Sequence, residues 1–278
     1  MSQVSNRVEE IFAHAVAMDQ AGRLRSTIYV IDREVYIINQ DNTVFLRFKL
    51  RESEKPFEEP VSFRANDYDS RAFREEGGKI VFETEANGFI RTKTCGTPDA
   101  DPEEIRDMFK KFKPVKVNKV KLSRDILPLL EEGLSHIEIR AEEGEIKFVQ
   151  RNIYSGAVIE ISRAVDTGAL GVDNPDELEE DFGPLGLRTG DFSALFAFND
   201  NLVFTFPPEG QGDYCCVRSR DPKMAMDGVV ACCVYDELGQ ISEVSDGRKE
   251  QKKRGSQQGS DKQTVKGKEQ VRKRVRTK

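Results

Sequence analysis

The spacing of apolar residues changes several times along the chain, and each change predicts the boundary of an element. The first apolar residues recur at helical spacing, at Val8, Ile11, Phe12, Ala15 and Val16. Asn6 with Glu9 three residues later is typical of a helix start, and Gly22 is typical of a helix end. We therefore predict one amphipathic helix before the first strands.

The next segment predicts a strand meander. Apolar runs around Ile28, Val35 and Val44 are interrupted at residues 32–34 and 39–42, which are rich in Asp and Asn. Further along, Asn87-Gly88 separates two strand-like runs and supplies the positive φ that a tight hairpin turn requires.

One phrase of the sequence occurs twice. "FRANDYDSRAF" begins at Phe63 and "LRTGDFSALFAF" begins at Leu187, and each is followed by a run with Val-Phe, "KIVFETE" and "NLVFTFP". We predict a short helix in each phrase, capped by Asp67 in the first, where it extends through Phe73, and by Asp191 in the second.

The elements around this phrase repeat as well. "LSRDILPLLEEGL" predicts a helix with Ser123 as its cap and Gly133 as its end, shortened by Pro128, and a second meander follows it. The same order of helix, meander, short helix and hairpin thus occurs twice, which indicates a duplication. The predicted parts are a first unit (1–96), a connector (97–118), a second unit (119–246) and a tail (247–278).

The tail is strongly basic. It holds 13 Lys+Arg and 3 Asp+Glu, so it carries about +10 while the rest of the chain carries about −16. The tail has too few apolar residues to bury a core, and we therefore predict that it is disordered. Such a tail either solubilises the protein or attracts phosphate groups, and both interpretations stay open.

Composition excludes several classes of protein. No apolar run approaches the ~20 residues of a membrane helix, and the N-terminus lacks the pattern of a secretion signal. Five cysteines without a signal predict reduced thiols in a cytoplasm, and one cysteine of each CysCys pair is expected in the core. We therefore expect that the protein does not associate with a membrane.

No motif of catalysis or cofactor binding occurs. His14 and His136 stand apart from other ligands, and the carboxylates around Asp176 read as a solvated acidic loop. We therefore expect no enzyme, no metal and no cofactor.

The duplicated pattern resembles the DNA sliding clamps, most closely those of tailed bacteriophages and proliferating cell nuclear antigen, whose subunits have two such units. The likeness covers about residues 6–238 and rests on "RVEEIFAHAV" before "IYVIDREVYIINQ", on "VKLSRDILPLLEEGLSHIEIRAEEGEIKFV" and on "LRTGDFSALFAFNDNLVFTF". The resemblance implies an α+β fold of two tandem clamp units, with antiparallel sheets outside and helices lining a central hole.

The resemblance also implies a function and partners. Three copies would close head to tail into a ring around duplex DNA, without reading its sequence, and would tether a replicative DNA polymerase after loading by a clamp loader. The protein would be viral and act in the host cytoplasm. Candidate residues for contact with DNA are Arg7, Arg23, Arg64, Arg71, Arg74, Lys119, Lys121, Arg124 and Arg188.

In the family, partner peptides dock beside the connector. Here that surface would include Met108, Phe109, Phe112 and Val115, and the alternative is that these residues anchor the connector to a sheet. Two other functions stay open: a nucleic-acid-binding protein that forms no ring, and a structural virion or scaffold protein. Either would act through the basic tail.

Overall fold

The structure is a computed structural model that describes residues 6–22, 24–51, 54, 57, 59–68, 73–76, 79–97, 100–112, 118–152, 154–165, 176–178, 182–207, 213–219, 221, 224–235 and 241–242. The basic tail lies outside the described residues. The fold is α+β, with antiparallel sheets and few helices. The helices are α1 (Asn6–Gly22), η1 (Ala65–Asp67, 3₁₀), α2 (Pro102–Lys111), η2 (Arg124–Leu129, 3₁₀) and α3 (Thr189–Leu195).

The strands make up three antiparallel sheets. In chain order they are β1 (Ser26–Ile31), β2 (Glu34–Asn39), β3 (Val44–Lys49), β4 (Val61–Arg64), β5 (Phe73–Glu76), β6 (Lys79–Ala86), β7 (Phe89–Cys95), β8 (Lys119–Ser123), β9 (His136–Glu142), β10 (Glu145–Arg151), β11 (Val158–Ala164), β12 (Phe182–Arg188), β13 (Asn201–Thr205), β14 (Tyr214–Ser219), β15 (Met226–Ala231), β16 (Cys233–Tyr235) and β17 (Ile241–Ser242).

The largest sheet contains strands from both ends of the described chain. Its eight strands follow the order β4-β1-β2-β3-β15-β14-β13-β8, and the junction is the antiparallel pair of β3 and β15. A six-stranded sheet follows the order β11-β10-β9-β12-β16-β17, and a three-stranded sheet follows β5-β6-β7. One large apolar core lies between these sheets and the inner faces of α1 and α3.

Several sequence predictions are confirmed. The first helix ends at Gly22, as expected. Both meanders form, and the β6–β7 turn places Asn87 and Gly88 at φ of 52° and 78°, which is the left-handed region that such a turn requires. Asp32 and Asn42 also have positive φ in the first meander, where the polar interruptions predict turns.

The short helices differ from prediction. The expected helix from Asp67 through Phe73 is wrong at both ends, because Asp67 ends the 3₁₀ helix η1 and β5 begins at Phe73. The Asp67 carboxylate pairs with Lys93, and residues 69–72 lie outside the described residues. Asp191 does not cap α3, because the helix begins at Thr189 and places Asp191, buried, in its first turn. The two Val-Phe runs do not occupy equivalent strands. "KIVFETE" lies in β6, the second strand after η1, whereas "NLVFTFP" begins with β13, the first strand after α3.

One further prediction needs correction, and the connector contains an element that the sequence did not predict. Ser123 caps the next helix as expected, its Oγ accepting a bond from the Asp125 N–H, but this helix is a 3₁₀ helix (η2) with Pro128 inside. The connector contains a helix, α2, which begins after Asp101 with Pro102 at its first position. The Asp101 side chain accepts a 3.0 Å bond from the Glu103 N–H.

Candidate functional site

Arg7, the candidate DNA contact on α1, forms an ion pair within the chain. Arg7 Nη1 lies 3.2 Å from Glu54 Oε2, and the two side chains are 11% and 9% exposed. Glu54 Oε2 also accepts a 2.6 Å bond from the Arg51 N–H. Because this pair is shielded from solvent, Arg7 holds a loop against the helix.

The exposed face of α1 carries no positive charge. Its solvent-exposed positions are Glu9, Glu10, Ala13, Ala17, Gln20 and Ala21. Asp19, on the buried side, accepts two bonds from the Ser26 N–H, at 2.9 and 3.1 Å, and burial raises its pKa. The exposed surface of α1 therefore consists of acidic and uncharged side chains.

The basic residues of β8 are tied to the segment 176–178. Lys119 pairs with the Glu177 carboxylate, and the two residues exchange backbone bonds of 2.8 and 2.9 Å. The Lys121 N–H donates a 2.9 Å bond to Asp176 Oδ1. This segment therefore covers the outer edge of β8.

Asp176 is the centre of a buried clasp that the sequence did not predict. Its side chain is 1% exposed and accepts bonds of 2.7 and 3.1 Å from Arg163 of β11. Arg163 also donates a 2.8 Å bond to the Lys121 carbonyl oxygen. Asp176 was expected in a solvated acidic loop, and this is wrong, because the carboxylate joins the edges of two sheets.

The other candidates lie nearer to solvent. Arg124 Nη1 lies 3.3 Å from Asp200, and Arg188 Nη1 lies 2.8 Å from Asp41, with the two arginines 61% and 47% exposed. Arg64 is exposed at the end of β4. Arg23, Arg71 and the side chain of Arg74 lie outside the described residues. The described candidates are therefore dispersed, and most are neutralised by a carboxylate.

The connector helix α2 packs on the outer face of the eight-stranded sheet. The Phe109 ring lies under the Arg47 guanidinium, 4.5 Å from ring centroid to Cζ, and 6.4 Å from the Tyr36 ring. Phe112 contacts the rings of Phe45 and Tyr214, with centroids 5.2 and 5.0 Å apart. These two residues therefore anchor the connector to the sheet.

The remaining connector candidates contribute less. Met108 is half-buried on α2, and Val115 lies outside the described residues. Arg106 of α2 pairs with Asp32 in the β1–β2 turn and approaches Glu34 at 3.9 Å, and its pKa is raised chiefly by the bond to Asp32. This contact fixes the helix relative to β1 and β2.

The junction of β3 with β15 is reinforced by the helices. Gly22 of α1 and Gly190 of α3 approach so closely that a Cβ on either would overlap the other backbone. After α3, the Phe198 ring lies 5.1 Å from Phe48 of β3 and 5.9 Å from His14 of α1. His14 therefore packs on an aromatic ring, and the junction buries apolar surface beneath its strand pair.

The outer edges of β7 and β11 are two of the sheet edges at which no further described strand pairs. At one edge Phe89 is 80% and Ile90 70% exposed, and at the other Val158 is 53% exposed. Exposed apolar side chains on an open edge are typical of a surface that pairs with another strand.

A cavity of about 390 Å³ lies beside the β11 edge. It is open to solvent on one side and is lined by η2, by the strands β8, β10, β11 and β13, and by Asp176. Its apolar lining consists of Leu122, Ile126, Leu129, Phe148 and Ile161. Arg163 and Asp176 are among the polar residues of its wall.

Several buried groups have shifted pKa values but do not converge. Burial raises the pKa of Asp191, and its Oδ2 has no hydrogen-bond partner within the part of the chain that the structure describes. His136 has a lowered pKa because of burial and the nearby Arg188. Cys215 lies in the apolar core, as expected for one residue of its pair, and Cys216 is buried outside that cluster. The pKa of Cys215 is raised by its bond with Cys232 and by burial.

The described residues contain no group of three or more His, Cys, Asp or Glu side chains that could hold a metal ion. Within that same part of the chain, every helix is too short or too polar to cross a membrane.

The fold matches solved structures, although neither a family model nor a curated protein sequence matches the chain. One match is the β clamp of Helicobacter pylori in complex with 5-chloroisatin, at 15% identity and a TM-score of 0.53, covering 80% of this chain and 62% of that chain. The same clamp bound to a DNA ligase peptide matches at 14% identity and 0.52, covering 81% and 63%.

An archaeal structure matches as well. The PCNA2–PCNA3 complex from Sulfolobus tokodaii aligns at 15% identity and a TM-score of 0.50, covering 80% of this chain and 96% of that chain. The chain spans about three fifths of the length of the bacterial clamp chains. At these identities the likeness establishes architecture, and the chain therefore has the fold of the DNA sliding clamps.

Proposed function

We propose that the protein is a DNA sliding clamp, a ring of three copies that encircles duplex DNA and tethers a DNA polymerase. The observation that carries the proposal is the β3–β15 junction together with two open edges that correspond to it. Strand pairing that already joins the two ends of one chain can join one chain to the next. This head-to-tail pairing closes a ring when the repeated rotation returns to the first copy, and for three copies that rotation is a third of a turn.

The proposal includes two tandem clamp units, residues 1–96 and 119–246, joined by the connector 97–118. In the first unit β4 pairs with β1 of the β1–β2–β3 meander, and in the second β12 pairs with β9 of the β9–β10–β11 meander. A short helix follows in each, η1 or α3, and then a second meander, β5–β6–β7 or β13–β14–β15. In this correspondence β3 matches β11, and β15 matches β7.

The internal junction thus predicts the external one. β3 pairs with β15 within the chain, so β11 would pair with β7 of the next copy. Such pairing would also bury the exposed apolar residues at the two edges, Phe89, Ile90 and Val158. The nearly full coverage of the archaeal chain, against about three fifths of the bacterial one, supports a subunit of two units and hence a trimer.

Contact with DNA would rest on phosphate attraction without base reading. The helices carry little free positive charge, because Arg7, Arg124 and Arg188 pair with carboxylates. We propose that the tail 247–278, with 13 Lys+Arg, supplies much of the attraction, and that Arg64, Lys121 and the dispersed surface arginines contribute weakly. An acidic body keeps the outer surface from adhering to DNA.

Partner peptides of a polymerase and a clamp loader would dock along α2. Because Phe109 and Phe112 anchor the helix, the docking surface would be its rim, where Met108 is half-exposed. The protein would perform no reaction itself. We place it in the host cytoplasm as a bacteriophage protein, on the sequence resemblance to two-unit phage clamps.

A comparison of protein retention on circular and on linear DNA tests this proposal. Dilute protein is mixed with a circular plasmid, the mixture is concentrated so that subunits associate, and salt is added before gel filtration. A ring stays with the circle and is released when a restriction enzyme linearises the plasmid. Equal retention on circular and linear DNA would instead favour a binding protein that acts through its tail.

A further inference from the structure

The cavity beside β11 lies at the edge that the ring proposal assigns to a second copy, and the inference drawn from it rests on that proposal. Its wall is mainly carbon, from Leu122, Phe148 and Ile161, and Leu129 of η2 lies at its margin with 58% of its side chain exposed. An apolar cavity of this size accommodates an aromatic side chain.

The internal junction explains why this cavity is open. At the corresponding place in the first unit, the long helix α1 covers the sheet, and Phe198 packs between His14 and Phe48. In the second unit the corresponding helix is the six-residue η2, interrupted by Pro128. The shorter helix covers less of the sheet, so the space beneath it is not filled by the residues that the structure describes.

The strand ladders identify which residues correspond. Phe48 faces Val35, the second residue of β2, and Arg163 faces Ile146, the second residue of β10. Arg163 thus occupies in β11 the position of Phe48 in β3, and Arg163 lines the cavity.

The same comparison identifies the residue that would face Arg163 from a second copy. Met226, the first residue of β15, faces Phe48 and is buried in the core. The first residue of β7 is Phe89, which is 80% exposed. Phe89 lies on the same strand face as the core residue Cys95, because side chains two positions apart share a face.

We propose that Phe89 of one copy packs into the cavity at β11 of the next, against Ile161 and Leu129. The fixed Arg163 guanidinium, held by Asp176 at 2.7 Å, lies beside the ring and supplies a cation–π partner. The occupant of the cavity is therefore a second copy of this chain. Ile90, its neighbour on the opposite strand face, stays outside the cavity.

The test compares Phe89→Ser with Ile90→Ser, two exposed apolar positions on opposite faces of one strand. Association is measured by sedimentation equilibrium of the full chain over a range of concentrations. Burial of a Phe side chain is worth enough that Phe89→Ser is expected to weaken association ~10-fold or more per interface, and Ile90→Ser only a few-fold. Circular dichroism checks that both variants stay folded.

A double-mutant cycle identifies the contact itself. Leu129→Ser weakens association alone, and the effects of Phe89→Ser and Leu129→Ser are expected to be less than additive because they remove the same contact. Equal effects of Phe89→Ser and Ile90→Ser, or strictly additive effects of Phe89→Ser and Leu129→Ser, would overturn the placement of Phe89 in the cavity. If the wild-type chain still forms a trimer in that case, the ring proposal is unaffected. A wild-type chain that stays monomeric at every concentration would overturn both.

Discussion

Gly22 and Gly190 pack backbone against backbone where α1 ends and α3 begins. A Cβ on Gly22 would lie 2.7 Å from the carbonyl oxygen of Gly190, and one on Gly190 would lie 2.9 Å from the carbonyl oxygen of Gly22. Both distances are shorter than a real Cβ contact, so only glycine permits this approach. The two helices come from opposite ends of the described chain, and this contact holds them together beside the β3–β15 pair.

Gly22→Ala is therefore expected to destabilise the fold. The added methyl group meets backbone and the Cβ of Ala194, which cannot move away easily, so we expect a loss of about 1–3 kcal/mol in the free energy of unfolding. Urea unfolding measures it. Gly133→Ala is the matched control, because a Cβ there meets nothing within 4 Å, and an equal loss at both positions would contradict the account.

Removing Asp176 is expected to open the clasp between β8 and β11. Asp176→Ala removes the carboxylate that accepts bonds from Arg163 and from the Lys121 N–H, and we expect a loss of about 2 kcal/mol or more in the free energy of unfolding. Glu177→Ala removes the exposed pair with Lys119 and is expected to cost less than about 1 kcal/mol. Thermal unfolding compares the two, and similar losses would argue against a buried clasp.

The burial of Asp191 predicts a pH dependence of stability. Its pKa is raised above the ordinary value of 3.8, so the folded protein holds this proton more tightly than the unfolded chain. Stability contributed by this group is present at pH below 3.8 and is lost as the pH rises through the raised folded pKa. Asp191→Asn is therefore expected to raise the melting temperature by a few degrees at pH 7 and not at pH 3.

The control for this prediction is Asp41→Asn. Asp41 is 62% exposed and pairs with Arg188, so its replacement removes a surface ion pair and no buried charge. An advantage of Asp191→Asn that is the same at both pH values would show that the carboxylate is not strained by burial.

Deletion of residues 247–278 is expected to weaken association with duplex DNA and to flatten its dependence on salt. Each phosphate neutralised by Lys or Arg adds about −0.9 to the slope of log K against log salt, so loss of a tail with 13 Lys+Arg reduces the slope by several units. Fluorescence anisotropy across a salt series measures the slope. A tail of the same composition in scrambled order is expected to restore it, and an unchanged slope after deletion would refute the role of the tail.

The sequence predicts individual helices and turns better than the long-range contacts between them. α1 and the β6–β7 turn follow from the spacing of residues such as Ile11 and Phe12 and from Asn87-Gly88, because each signal is complete within a few positions. α2 was missed although its signals are present: Asp101 caps it, Pro102 opens it, and Lys110 and Lys111 close it. The prolines and the change of charge in residues 97–118 indicate a connector and draw attention away from these helix signals.

Long-range contacts account for what could not be predicted. Nothing near Asp176 in the sequence indicates that Arg163 and Lys121 surround it, so its burial follows only from the meeting of two sheets. The pairing of β3 with β15 likewise depends on the fold of the whole chain. The basic candidates follow from their charge and from their place near predicted helices, whereas the carboxylates opposite Arg7 and Arg188 come from distant segments.

Electron microscopy of the purified full chain, at a concentration where subunits associate, tests the central claim most directly. The account predicts class averages of a closed ring with three-fold repetition and a central hole wide enough for duplex DNA. Particles without a hole, or open chains with no closure, would contradict it.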